Sequence, residues 1–277
     1  MKGTASDDSC KDKNIYDLSF DIFNKLYFEN FKTTLDPNWL GWFTGFAEGD
    51  GYLGINGNIP VFVLTQKESK ILYEIRDVLN FGIVTKFDQY TRYIVRDKSS
   101  VLLLFHLFNG NLHIQHKIDQ LEKWSILFNN KNEKKDNPLK VIIDPVKLSF
   151  NNSWFSGFVD AEGCFNVYVS KNNKGISLRF IVDQQYGLPL FNQLENILAS
   201  GSIYARKNSN YRFALTKLDK LALAIGYFNT YTLRTKKQLA FEKWKAVYYC
   251  VLNKEDKSIA GMLRLKKLSL LINKDND

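Results

Sequence analysis

The sequence predicts an α+β protein made of two pseudo-symmetric αββαββα units with antiparallel sheets, and three observations lead there. A pattern recurs along the chain: SWFSGFVDAEGCFNVYV (Ser153 to Val169) echoes GWFTGFAEGDGYLGI (Gly41 to Ile55). The spacing between matched positions grows slowly, from 112 residues between Asp50 and Glu162 to 118 between Gln66 and Gln184, then 120 between Lys117 and Lys237. Such drift marks a duplicated unit that later gained short insertions, and loops such as Lys171 to Gly175 tolerate these best. Within each copy, the apolar period switches between helix and strand in the same order.

Each copy opens on a short apolar helix, started by Asp36-Pro37 in the first and by Asn151 to Ser153 in the second. Two alternating strands follow, at 52–57 and 60–66, then 164–170 and 176–183. A helix comes next (68–80 and 188–199), then a second hairpin (83–96 and 202–216), and two helices at the close. NNKNEKKDNP (Asn129 to Pro138) is polar, charged and proline-ended, which suits a linker. Helical spacing at Ile15, Leu18, Ile22, Leu26 and Tyr27 predicts an accessory helix over 14–33, docked on the first unit. The expected layout is an extension at 1–36, units at 37–128 and 151–252, a linker at 129–150 and a basic tail at 253–277.

Composition narrows the chemistry. With 277 residues, 45% of them hydrophobic and 24% charged, the chain can bury a sizeable core. A formal charge of +9 and a pI near 9.2 make a polyanion the natural partner. Cys10, Cys164 and Cys250 are too scattered for a disulfide framework or a CxxC metal pair, so a reducing compartment is expected. Three histidines make a His-rich zinc site improbable. No stretch has the apolar length of a membrane span, so no membrane partner is expected. Asp7 and Asp8, without an Arg-rich amphipathic face, argue against a transit peptide.

The opening helices carry the chemistry. Gly45 and Gly49 are four apart, as are Gly157 and Ala161, which places small residues on one face and lets two helix backbones approach. The last turns carry Glu48 and Asp50 in one copy, Asp160 and Glu162 in the other. Carboxylates at a helix C-terminus face the negative end of the macrodipole, so something must offset them. Divalent cations shared by converging carboxylates would do so, with hard oxygen ligands suited to magnesium, and could serve in-line hydrolysis of a phosphodiester.

Phe43 to Gly51 (FTGFAEGDG) and Phe155 to Gly163 (FSGFVDAEG) resemble the two signature helices of single-chain LAGLIDADG homing endonucleases. The similarity runs from about residue 38 to 250. It implies a monomeric Mg2+-dependent enzyme, with Mn2+ substituting and Ca2+ supporting binding without cleavage, that makes a double-strand break in a long asymmetric DNA site. Asp50 and Glu162 would hold the metals, with Gly49 and Ala161 beside them. The family's strand-end polar position falls on Gln66 and Gln184, for which a local hydrogen bond is the competing role. Its active-site lysines fall on Lys117 and Lys237, with Lys236 competing for the second. An organellar, mitochondrial home and an RNA-binding maturase role on the host intron are further implications.

The resemblance also implies that the strands form a saddle lying in the DNA major groove, where Arg suits guanine, Asn or Gln adenine, and apolar groups a thymine methyl. Alternation then selects the readers. In the first unit these are Tyr52, Asn56, Val61, Val63, Thr85, Phe87, Arg92, Ile94 and Arg96. In the second they are Asn166, Tyr168, Ser170, Ser177, Arg179, Ile181, Tyr204, Arg206, Asn210 and Arg212, with Cys164 also facing outward. Lys254, Lys257, Lys266 and Lys267 in the tail suit nonspecific phosphate contact or solubility.

Overall fold

A computed structural model describes residues 18–130, 138–144, 146–170 and 175–272. The first unit opens on α2 (Pro37–Asp50), preceded by α1 (Asp21–Phe31). The Asp36 carboxylate accepts the backbone N–H groups of Asn38 and Trp39 at 3.2 and 3.3 Å, and Pro37 occupies the first turn, where its missing N–H costs nothing. The chain then forms β1 (Gly51–Asn56), β2 (Ile59–Gln66), α3 (Ser69–Leu79), β3 (Ile83–Lys86), β4 (Thr91–Val95), α4 (Lys98–Phe108) and α5 (Gln115–Asn130). The second unit repeats this as α6 (Trp154–Glu162), β5 (Gly163–Val169), β6 (Ile176–Gln185), α7 (Leu188–Leu198), β7 (Ser202–Ala205), β8 (Asn210–Leu215), α8 (Leu218–Thr230) and α9 (Lys237–Leu252).

Both sheets are antiparallel and permuted alike, β1-β2-β4-β3 and β5-β6-β8-β7. Each turns its apolar residues to its own core: Leu53, Phe62, Leu64, Tyr93 and Val95 in one; Phe165, Leu178, Phe180, Val182, Phe213 and Leu215 in the other. The helices α3, α4 and α5, and their counterparts α7, α8 and α9, cover those faces and leave the opposite faces open. Among the described residues, no helix is long and apolar enough to cross a membrane.

The units meet along α2 and α6. A Cβ on Gly45 would overlap the Trp154 carbonyl oxygen, and one on Gly157 would overlap that of Trp42. Gly49 faces the Ala161 methyl, and Gly41, one turn before Gly45, faces Ser153. The stripe of small residues is therefore a turn longer than the expected pairs. Ser153 does not cap its own helix; its hydroxyl donates to the Asn38 carbonyl across the contact at 2.5 Å.

Three regions depart from expectation. The accessory helix starts at Asp21, and residues 14–17 of the expected range lie outside the described residues. Of the expected positions Tyr27 is buried and Leu18 and Leu26 pack against the core, but Ile22 is 60% exposed and Phe23 is buried in its stead, the larger aromatic ring burying more apolar area. In the segment expected to be linker, 131–137 and 145 lie outside the described residues, while Val146 and Leu148 are buried. The basic stretch expected as a tail contains α10 (Ile259–Ser269), which buries Met262 and Leu265, with Ile272 beyond its end also buried.

Candidate active site

The four carboxylates that end α2 and α6 divide into two pairs with different work. Glu48 and Asp160 point inward. Glu48 accepts the backbone N–H groups of His113 and Ile114 through Oε1 at 2.6 and 2.5 Å, capping the approach to α5, and the Trp154 indole N–H through Oε2 at 3.0 Å. Asp160 accepts the Arg234 and Thr235 backbone N–H groups at 2.7 and 3.2 Å and the Thr235 hydroxyl at 2.5 Å, just before α9. It also accepts the Trp42 indole N–H at 2.8 Å. Each unit thus supplies an indole to the other unit's buried acid, and both acids are structural ties.

Asp50 and Glu162, the last residues of the two helices, come together on the other side. Burial pushes the Glu162 carboxyl up to about 7, reinforced by the Asp50 charge and opposed by Lys237 and Lys117. Burial also raises Asp50, against Lys237, a Gln66 hydrogen bond and Lys117. Both lysines are lowered by burial and held up by the acids around them, Asp50 and Glu162 included. Two acids and two ammonium groups therefore share a poorly hydrated space, where each charge depends on the others.

The flanking side chains are placed less symmetrically. Gln66 donates to Asp50 Oδ2 at 2.5 Å, whereas Gln184 donates to the Gln185 carbonyl at 3.1 Å and leaves its Oε1 buried with no hydrogen-bond partner. Lys117 Nζ donates to the Gly51 carbonyl. Lys237 Nζ donates to the Ala161 carbonyl at 2.6 Å and to that of Val159 at 3.2 Å. Of the competing pair, Lys237 is thus the one beside the acids; Lys236 gives its backbone N–H to Glu68 at 3.1 Å. A cleft of about 270 Å³ opens here, with Gly49, Lys117, Glu162, Asp183, Gln184 and Asn210 in its walls. Among the described residues, no three or more His, Cys, Asp or Glu side chains are grouped so that they could hold a metal ion.

The strand residues expected to face outward do so. Leu53, Phe62, Leu64 and Tyr93 are buried, which puts Tyr52, Asn56, Val61, Val63, Arg92 and Ile94 on the open face. Thr85 pairs with Arg92 across β3 and β4, and Phe87 and Arg96 continue that face. Arg92 lies over the Tyr90 and Phe87 rings at 5.0 and 5.5 Å. In the second sheet, Asn166 pairs with Arg179, Tyr168 with Ser177, and Tyr204 with Arg212, all outward, with Ser170 beyond β5 and Ile181 opposite Cys164. Arg179 lies 4.9 Å over the Tyr168 ring. Arg206 follows β7, and Asn210 opens β8.

Sequence reasoning passed over Asp183, which stands on this face opposite Arg212 and adds its charge to those raising Glu162. Strict alternation, counted outward from Ile181, would have selected it. Ile83 and Thr65 are further outward positions that were not singled out.

Comparison with known proteins follows the same lines. The LAGLIDADG endonuclease family matches residues 155–248. A relative from Neurospora crassa, named probable intron-encoded endonuclease 4, is 34% identical over 253 residues, covering 87% of this chain. The chain spans about half of that relative's own length, 46%. The crystal structure of the LAGLIDADG homing endonuclease I-GzeII in complex with its DNA target superposes with a TM-score of 0.68 at 21% identity, over 85% of this chain and 97% of that one. I-SmaMI bound to uncleaved DNA target in the presence of calcium ions superposes at 0.66 with 16% identity, over 87% and 100%. With both signature helices in place and the fold shared, the chain belongs to the LAGLIDADG endonuclease family.

Proposed function

We propose that the chain is a site-specific DNA endonuclease that, as a monomer, makes a double-strand break in one long asymmetric duplex. The observation that carries this is the meeting of Asp50 and Glu162 at the ends of two abutting helices, each near a buried lysine, between two sheets with open, arginine-bearing faces. The net charge of +9 suits a polyanionic partner. The intron-encoded relative supports a host gene within an intron, in keeping with an organellar, mitochondrial home.

The donor chemistry fits a divalent cation. Burial strains both ionised carboxylates, and Asp50 further strains Glu162, so a hard cation between them relieves a cost the fold has built in. Asp50 and Glu162 would hold Mg2+, with Mn2+ substituting and Ca2+ supporting binding alone; the Gly49 and Ala161 carbonyls are the adjacent oxygens. A bound cation supplies charge neutralisation at the phosphate and a lowered pKa for bound water. Gln66 fixes the orientation of the Asp50 carboxylate. Lys117 and Lys237, held at the ends of the helices by backbone carbonyls, supply fixed positive charge where a phosphate would gain negative charge.

Selection of cleaved duplexes from a randomised library with Mg2+ tests the reading. Asp50→Asn and Glu162→Gln should each lower double-strand cleavage by roughly a hundredfold or more, while a gel shift persists in Ca2+ or EDTA. Cleavage near the wild-type rate by either variant would remove the metal assignment.

A further inference from the structure

The two sheets place an arginine at the same register and hold it in opposite ways. Arg92 pairs across the strands with Thr65, and Arg212 with Asp183. Arg92 rests against aromatic rings, and its Nε is buried with no hydrogen-bond partner. Arg212 is gripped by a carboxylate: Nε donates to Asp183 Oδ1 at 2.8 Å and Nη2 to Oδ2 at 2.6 Å. Arg206 Nη1 lies 3.9 Å from the same Oδ1.

An acid on this face works against the partner the rest of the face suits, because it repels phosphates. Stability does not account for it either, since an ion pair this exposed contributes little. What a bidentate carboxylate does supply is orientation. A guanidinium has five N–H donors; with Nε and one Nη2 hydrogen committed to Asp183, the remaining three sit on Nη1 and Nη2, the two nitrogens at the end of the fork. Those are the donors that match O6 and N7 of guanine.

We propose that Asp183 is a specificity-positioning residue that holds Arg212 end-on, as a guanine reader, in the half of the target bound by the second unit. This rests on the DNA-cleaving reading above. Asp183 lines the same cleft as Glu162, so the base pair concerned lies toward the centre of the target. Arg92 has no such buttress and reads its half more loosely.

Binding, and not cleavage, is the readout that separates this role from any effect of Asp183 on Glu162. Every single-base variant of the selected target would be profiled in EDTA with the wild type, Asp183→Ala, Asp183→Asn, Arg212→Ala and the Asp183→Ala, Arg212→Ala double variant. Asp183→Ala and Arg212→Ala should flatten the same guanine-containing base pair, on the order of tenfold in discrimination. The double variant should match Arg212→Ala alone, and Asp183→Asn, which keeps one accepting oxygen in an isosteric side chain, should fall between. The proposal is overturned if Asp183→Ala leaves the Arg212-dependent position sharp, or flattens a different base pair. A wild type that enriches no duplex at all would overturn the endonuclease reading, and this one with it.

Discussion

The paired helices and the paired sheets treat the pseudo-twofold axis differently. Along α2 and α6 the symmetry is close: glycine faces a tryptophan carbonyl twice, and an indole meets a buried acid twice. At the Asp50–Glu162 end and on the strands it loosens. Asp50 is matched by the longer Glu162, Gln66 engages its acid while Gln184 does not, and Thr65 is matched by Asp183. Contact geometry leaves little room for variation, because backbones that touch accept only small side chains. Open faces carry no such constraint and diverge. The interface therefore preserves the duplication, and the sheets differentiate its products.

The sharpest way to break this picture is at the contact. Gly45→Leu or Gly157→Leu should each prevent the native packing, because the added carbons fall on backbone atoms that cannot swing aside. The expected loss is about 3 kcal/mol or more, read as a large drop in Tm or no cooperative transition. An unchanged melt at either position would mean the helices do not meet there.

A smaller effect tests how equal the two ties are. Trp42→Phe leaves Asp160 with donors on both oxygens, from Arg234 and from Thr235. Trp154→Phe removes the indole donor to Glu48 Oε2, leaving that oxygen facing His113 Nδ1 at 3.7 Å. Each substitution should cost about 1–3 kcal/mol by chemical denaturation, with Trp154→Phe the more severe. The reverse order would show that the symmetry of the ties is deeper than the donor arrangement implies.

An effect no larger than this, and seen only as pH changes, is expected from Glu162, whose carboxyl is raised by burial and then further by the Asp50 charge beside it. The Glu162 carboxyl titrates near 7 in the fold against 4.5 as its ordinary value, so between these the folded state binds more protons than the unfolded one. Its contribution to stability is full below 4.5 and declines as pH rises toward 7, opposite to an ion-paired carboxylate. In EDTA, wild type should lose about 1–3 kcal/mol relative to Glu162→Gln between pH 5 and 8. Asp50→Asn should move the midpoint of that loss to lower pH, since the Asp50 charge is part of the cause. A wild-type profile parallel to Glu162→Gln would show that Glu162 is not strained.

Much of this was legible in the residues. The repeat of a glycine-bearing apolar helix followed by alternating strands gave the unit, and alternation placed Arg179, Arg206 and Arg212 outward, because strand facing follows from parity alone. Glu48 and Asp160 were not separable from Asp50 and Glu162 by spacing. Which acid turns inward depends on indoles and backbone amides brought from distant segments, such as His113 and Arg234. Choosing between Lys236 and Lys237 needed the start of α9, which makes one the residue before the helix and the other its first turn. The C-terminal helix was hidden because its apolar residues fall on several sides, Ile259, Leu263 and Leu270 staying exposed, and only the folded second unit selects the face that Leu265 buries. The outward facing of Asp183 was legible by parity from Ile181, but its role was not, because a single acid within VDQQ has no local meaning until Arg212 stands opposite it.

The reciprocal indole ties carry one more consequence. In both units the tryptophan stands six residues before the acid it cannot reach, on the same helix as the small residues that admit a neighbour. Each helix thus brings both halves of the same handshake and can complete neither by itself. Each unit's buried acid depends on the other unit for its indole donor. The helix contact is accordingly set by different residues from those on the open faces of the sheets. A substitution on an open sheet face therefore leaves the helix contact untouched, and one in the contact is felt by both units at once.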